Sequence, residues 1–363
     1  MESSTPSVCI VGNLLGRNPG FITTQGQILA DLLKGEKYEV VSVSSKINRA
    51  ARLLEIAYTI VRNRKTVDVL ILEVYSGMSM LIADIASYLS GVFRIPSVFV
   101  LHGGNLPEFS TRYPRWTRRV LKRADVLVAP SNYLAQELKI PGREIAVVPN
   151  VVEIESCKFR PRHSVEPRLI WMRSFHPVYN PQMALNAFAH IKSIFPQATL
   201  TMAGVDKGLE ADMKQLARDL GIDEAVRFPG FLNAAEKARE FSQADIYLNT
   251  NHIDNMPVSV LEACAWGLPV IATEVGGISR MLKHRENALL VPDNDPFSMS
   301  EAVVELVRSP SLAFQISENG RRLADRSSWA CVRPLWERMI RDLVSKKTVP
   351  FAPYSGNAAE RNV

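Results

Sequence analysis

Cysteine is scarce in this 363-residue chain, with four residues at Cys9, Cys157, Cys264 and Cys331. They form no CxxC pair and no metal-ligand spacing. That excludes a disulfide framework and a zinc module, and it points to reduced thiols in the cytoplasm. Long apolar runs are also missing. The longest, residues 67–74 and 96–101, have strand length and fall far short of a membrane span. The first residues show no basic region followed by an apolar one, so no signal peptide is expected. No repeat of fixed period occurs. The G-x-G-x-x-G fingerprint is absent, which disfavours a nicotinamide dehydrogenase, and so is the Gly-Lys-Ser/Thr ending of a phosphate loop. No Asp-x-Asp pair stands where it would hold a metal, so no metal requirement is expected. Acidic residues are the minority, 37 against 43 Lys and Arg, giving a net charge of +6. That charge admits a nucleotide, an acidic lipid or a nucleic acid as partner without choosing among them.

What the chain does contain is an alternation of short apolar strands and amphipathic helices. Strand patterns fall at residues 7–11, 38–44, 67–74, 96–101, 125–129 and 144–148. Helical spacing falls at 47–61 and 78–89. After a polar segment at 151–167 with two prolines, read as an interdomain linker, alternation restarts. Strands follow at 168–172, 198–203 and 288–291, and 245–249 leads into the stretch that begins at Asn251. Helices open at Asn180-Pro181 and near Pro296, and the last helix, 327–344, carries Trp329 and Trp336. Pro334 kinks that helix or marks its true start. The pattern predicts an α/β chain with two parallel sheets, each covered by helices on both faces. Ligands of such sheets bind at the carboxyl ends of the strands.

The stretch from Asn251 to Thr273 reads as loop, helix and strand. Pro257 suits a first helical position, and Gly267 with Leu268-Pro269 ends the helix. Asp254 precedes the helix and Glu262 lies within it, eight residues later. The first-turn amides of such a helix favour an anion. A nearby carboxylate can accept bonds from neutral hydroxyls. A phosphate joined to a polyol, such as a nucleotide sugar, satisfies both.

This run resembles the acidic motif of retaining glycosyltransferases of the GT-B fold, family 4 (glycosyl transferases group 1). That motif is Glu, seven residues, Glu, a small-residue helix, Gly-x-Pro, and a strand followed by Gly-Gly. Asp254 stands at the first Glu, Glu262 at the second, and Gly276-Gly277 follow. The resemblance implies two doubly wound Rossmann-like domains facing across a cleft. Residues 1–155 would be the acceptor side and 156–328 the nucleotide-sugar-binding side. A terminal helix, 329–346, would return to the first domain, and 347–363 would be a loose tail. The implied reaction moves a sugar from a nucleotide-diphosphate sugar to a glycan or lipid-linked acceptor. Configuration would be retained, without a protein nucleophile, a metal or a further cofactor. A non-catalytic nucleotide-sugar-binding descendant and a nucleotide-sugar epimerase are the alternatives.

The same resemblance assigns site residues. Gly16, in the glycine-bearing loop 12–20, would lie near the donor phosphates. His102 ends the strand 96–101 and would bond a sugar hydroxyl or act as general base. A lone histidine is otherwise often structural. Arg173, ending the strand 168–172, would neutralise the diphosphate with its fork of donors. Gly204 marks a close backbone approach to the donor, and 226–231 would reach the base. Val258 and the amides beside it would hold phosphate, Asp254 the sugar hydroxyls, and Glu262 the ribose. The family's Lys, five residues after the Arg, is Val178 here, with Tyr179 next as an alternative donor.

Arg115, Arg118, Arg119 and Lys122 recur at helical spacing after Pro114, with no acid interrupting them. Such a face is either simply solvated or a contact for anionic lipid headgroups or a lipid-linked acceptor. The latter would place the protein at the inner face of the plasma membrane. No exposed aromatics are interleaved for base stacking, so nucleic acid is not expected.

Overall fold

In a computed structural model of the chain, the described residues are 5–345 apart from Pro19, Gly20 and Ile22. The tail expected at 347–363 lies outside them. The chain divides into two compact units. One runs to Val151 and takes back the helix from Trp329, and the other is Val152–Ser328.

The N-terminal unit follows the order β1 (Ser7–Val11), α1 (Gln25–Gly35), β2 (Glu39–Val43), α2 (Arg49–Asn63), β3 (Val69–Val74), α3 (Ser79–Phe93) and β4 (Ser97–Leu101). It continues with α4 (Leu106–Arg112), α5 (Pro114–Leu121), β5 (Val126–Ala129), α6 (Asn132–Glu137) and β6 (Ile145–Val147). Its sheet is parallel, in the order β2-β1-β3-β4-β5-β6. β1, β3 and β4 are buried along their whole length. Apart from Ser7, Glu73 and Ser97 they are apolar on both sides, because helices cover both faces.

The second unit runs β7 (Arg168–Met172), α7 (Pro181–Ile194), β8 (Thr199–Ala203), α8 (Glu210–Asp219), β9 (Val226–Gly230), α9 (Ala234–Gln243) and β10 (Ile246–Asn249). Then come α10 (Val258–Ala265), β11 (Val270–Thr273), α11 (Ile278–Met281), β12 (Leu289–Val291), α12 (Pro296–Arg308) and α13 (Pro310–Asp325). The sheet is again parallel, in the order β12-β11-β10-β7-β8-β9. That is the order of dinucleotide-binding sheets, reversing between β7 and β10.

The segment read as a linker is built into the second unit from Val152 onward. Arg162 is buried, donates to the carbonyls of Phe241, Ala244 and Trp266, and pairs with the buried Asp245. Burial lowers its pKa to about 10. Arg160 and Arg168 share the same carboxylate. The last helix, α14 (Trp329–Val344), lays Val332, Trp336, Met339 and Ile340 against Val8, Ile10 and Leu29 in the N-terminal unit. Pro334 sits inside this helix, which starts at Trp329. Among the described residues no helix is long and apolar enough to cross a membrane.

Candidate functional site

In the second unit Arg173 directly follows β7, and the loop after β10 leads into α10. These strands are neighbours where the strand order reverses, the usual place for a ligand in an open parallel sheet. The Arg173 guanidinium is held on three sides. Nη2 donates to Asp254 Oδ2, and Nη1 donates to Ser259 Oγ at 3.2 Å. Its plane lies over the Tyr179 ring, 4.1 Å from the centroid. Burial works against its charge, but Asp254, Tyr179 and Tyr247 outweigh it, and its pKa is raised above the ordinary value. The Nε of Arg173 is buried with no partner among the described residues.

Asp254 is spoken for by protein groups. Oδ2 also accepts from Asn251 Nδ2 at 2.7 Å, and Oδ1 accepts from the Asn255 amide at 2.7 Å. Tyr179, expected to offer a hydroxyl, instead offers its ring face to Arg173. The two glycines after β11 are demanded by this loop. A Cβ at Gly276 would lie 2.5 Å from the Asp254 carbonyl oxygen, and one at Gly277 would lie 1.9 Å from that of Asn255. Gly204 has a comparable reason. Its Cβ would fall 1.8 Å from the Arg173 carbonyl oxygen, so the close approach is to the arginine's own backbone.

The helix α10 begins at Val258, and Pro257 is its extended N-cap instead of its first turn. Among the described residues its N-cap makes no side-chain capping bond, and no acid stands in its first turn. The amide end and Arg173 therefore present positive charge together, joined through Ser259. One turn further on, Glu262 Oε1 lies 2.5 Å from Lys237 Nζ on α9. The buried Tyr247 donates its hydroxyl to the Met172 carbonyl at 3.1 Å, and burial pushes its pKa up to about 12. It serves here as a structural donor.

In the N-terminal unit His102 follows β4 and is buried, its amide donating to the Val74 carbonyl at 2.9 Å. Nε2 lies 2.6 Å from Oε2 of Glu73 on β3, and the Tyr75 ring stacks on the imidazole at 4.9 Å. Glu73 fits because Gly12 and Gly26 lack side chains. A Cβ at either would lie 2.7 Å from Glu73 carbon atoms. Gly16 falls in the short turn Leu15–Arg17 of the loop after β1, and Pro19 and Gly20 of that loop lie outside the described residues.

Two partners escaped the sequence reading. Glu73 is an acid inside an otherwise apolar strand, which is itself a signal. Lys237 sits on a helix opened by an Asn233–Glu236 capping box, a start signal that marks α9 but not the lysine's partner. The basic run also has an unforeseen acid. Asp84 on α3 pairs with Arg119, takes Arg123 at 2.7 Å and accepts from Trp116 Nε1 at 2.8 Å.

Comparison with known proteins identifies the family. Residues 155–323 match the family model for glycosyl transferases group 1, and residues 78–156 that for Glycosyltransferase Family 4. The D-inositol 3-phosphate glycosyltransferase 2 of Catenulispora acidiphila is 27% identical over 253 residues, covering 62% of this chain and 58% of that protein. The phosphatidyl-myo-inositol mannosyltransferase of Mycobacterium leprae is 26% identical over 223 residues, covering 60% and 58%. The chain thus spans little more than half of these relatives. Among solved structures, Anabaena HepE in complex with UDP superposes with a TM-score of 0.71 at 16% identity, covering 93% of this chain and 100% of that one. Sucrose-phosphate synthase of Thermosynechococcus elongatus gives 0.77 at 14%, covering 94% and 100%. The two adjoining family matches, together with two Rossmann-like sheets, place this chain in the glycosyltransferases of group 1, with the GT-B fold.

Proposed function

We propose that the protein transfers a sugar from a nucleotide-diphosphate sugar to a hydroxyl of a glycan or lipid-linked acceptor, with retention of configuration. One observation carries the reading. A fixed guanidinium, Arg173, is tied by Ser259 to the uncapped amide end of α10 at the sheet's reversal point. That arrangement suits the diphosphate of a donor. As the sugar's C1–O bond to the β-phosphate breaks, charge grows on the departing diphosphate, where Arg173 and these amides stabilise it. Such stabilisation is usually the largest catalytic contribution. The acceptor oxygen bonds C1 on the same face, and its proton passes to the departing phosphate oxygen. Because cationic protein groups meet the diphosphate, the reaction should persist in EDTA.

Glu262, with one oxygen on Lys237, has its second oxygen for a ribose hydroxyl. Asp254 is assigned to clamping Arg173, and any bond to the sugar would come at the cost of one it makes now. Glu73–His102 is the proposed contact for a hydroxyl of the sugar or acceptor. UDP in the HepE complex supports a uridine donor as the first to try. The basic face of α5 is assigned to an anionic membrane surface at the cytoplasmic side, in keeping with a lipid-linked acceptor. The phosphatidyl-inositol relative supports that choice of acceptor.

A second reading is a binding-only descendant. It is favoured by two observations: both motif carboxylates already have cationic partners, and Val178 replaces the family's lysine. Thermal shift against UDP, GDP, ADP and dTDP sugars, followed by a transfer assay, separates the two. Stabilisation with turnover supports transfer, and stabilisation without turnover supports the second reading. No stabilisation by any of them removes both.

A further inference from the structure

The N-terminal unit carries an outward face that the reaction does not use. Parallel crossovers are right-handed, so the connections β2-α2-β3, β3-α3-β4 and β4-α5-β5 put α2, α3 and α5 on one side of the sheet. Their inner residues share one core, among them Ile56, Ile60, Met80, Ala83, Val120 and Leu121. Their outer residues divide sharply by chemistry. On α2, Leu54, Tyr58 and Val61 form a stripe, and on α3, Leu81, Tyr88 and Val92 form another. All six are 38–71% exposed. At 100° per residue the first stripe spans only about 60° of its helix and the second about 40°. On α5 and its C-cap the outer residues are Arg115, Arg118, Arg119 and Lys122, all exposed.

The stripes and the cations are neighbours. Asp84 on α3 binds Arg119 and Arg123, and Arg123 lies over the Tyr88 ring at 5.7 Å. At the other edge Arg64, just past α2, lies over Phe93 of α3 at 5.8 Å. Residues 46–123 hold thirteen Lys and Arg against five Asp and Glu, an excess of eight that exceeds the whole chain's +6. Of those five acids, Glu73 and Asp84 are already held by His102 and by the arginines. Apolar and tyrosine side chains flanked by cations, of which Arg115, Arg118 and Lys122 pair with no acid among the described residues, match the boundary of an anionic bilayer. The cations meet headgroup phosphates, the tyrosines sit at the interface, and the aliphatic residues enter the acyl region.

We infer that α2 and α3 insert their apolar stripes into an anionic bilayer while α5 holds the headgroups, so that binding has a hydrophobic part that salt does not remove. The inference rests on the assignment of α5 to a membrane surface and adds the part that enters it. A second copy of the chain is the competing occupant. Its matching face would carry the same charge, which disfavours it.

The test is co-sedimentation of the full chain with vesicles of equal parts phosphatidylcholine and phosphatidylglycerol, and of phosphatidylcholine alone. Salt is varied from low to about 1 M, where charges are screened beyond roughly 3 Å. Two variants are compared, each checked for an unchanged melting transition. Arg115→Gln/Arg118→Gln/Lys122→Gln should weaken binding at low salt by roughly a hundredfold, about fivefold per cation. Leu81→Gln/Tyr88→Gln/Val92→Gln should abolish the binding that survives high salt and weaken low-salt binding by at least roughly tenfold. Should the stripe variant bind as wild type at every salt, with the charge variant impaired, the insertion is refuted and the electrostatic assignment stands. Absence of wild-type binding, or a dimer dispersed by the stripe variant in its place, overturns both. Donor stabilisation without vesicles reports on the transferase reading separately.

Discussion

Lys237 Nζ lies 2.5 Å from Glu262 Oε1, across from one helix to the next in the second unit. The pair leaves the other carboxylate oxygen unclaimed by the lysine and fixes its direction. If that oxygen accepts a ribose hydroxyl, Glu262→Ala removes a charge-assisted bond of about 1.5–3 kcal/mol, or roughly 10- to 150-fold in donor affinity. Stability should fall by less than about 1 kcal/mol, because the pair is partly exposed. Calorimetric titration with donor and a melting curve check both. Unchanged affinity would remove Glu262 from the site.

Glu73 depends on Gly26. Gly26→Ala places a Cβ 2.7 Å from the Glu73 carboxyl carbon, so the carboxylate must move off His102. Overpacking of this kind costs about 1–3 kcal/mol. Transfer should slow at least tenfold, while binding of a nucleoside diphosphate, assigned to the second unit, stays within about twofold. Wild-type kcat in this variant would make the Glu73–His102 pair structural only.

Asp84 should give the N-terminal unit an acid-sensitive step. Burial raises its pKa, but bonds from Arg123, Trp116 and Arg119 outweigh that, and the net shift is downward. A carboxyl with a lowered folded pKa stabilises above its unfolded value, near 3.9, and that stability is lost as pH falls through the lower folded value. Asp84→Asn should cost about 1.5–3 kcal/mol at neutral pH and flatten the stability curve below roughly pH 4. Urea melts between neutral pH and pH 3 measure it. Parallel curves for the two proteins would contradict the assignment.

Periodicity and punctuation made most of the fold legible. The strand at 168–172 matches β7 residue for residue, and Asn180-Pro181 and Pro296 open helices as expected. The helix at 310–325 went unread, as its start is a Ser-Pro turn signal that continues directly from the helix before. At the site, positions were legible and partners were not. Arg173 and Asp254 could each be placed at a loop, but their contact spans 81 residues of sequence and exists only because β7 and β10 are sheet neighbours. The same holds for Asp84 and Arg119, which gave one cation of a run without local acids a partner. Gly204 was read as a close backbone approach to the donor, and the approach seen is to the carbonyl of Arg173.

Arg173 and the amide end of α10 are proposed to receive the donor's diphosphate. Titration of UDP, and of GDP, ADP and dTDP if UDP does not bind, into wild type and Arg173→Met tests this assignment most directly. The variant should lose at least tenfold in affinity and transfer roughly 100- to 1,000-fold more slowly, as for loss of one oxyanion donor. Equal dissociation constants for the two proteins, with the variant folded, would contradict it.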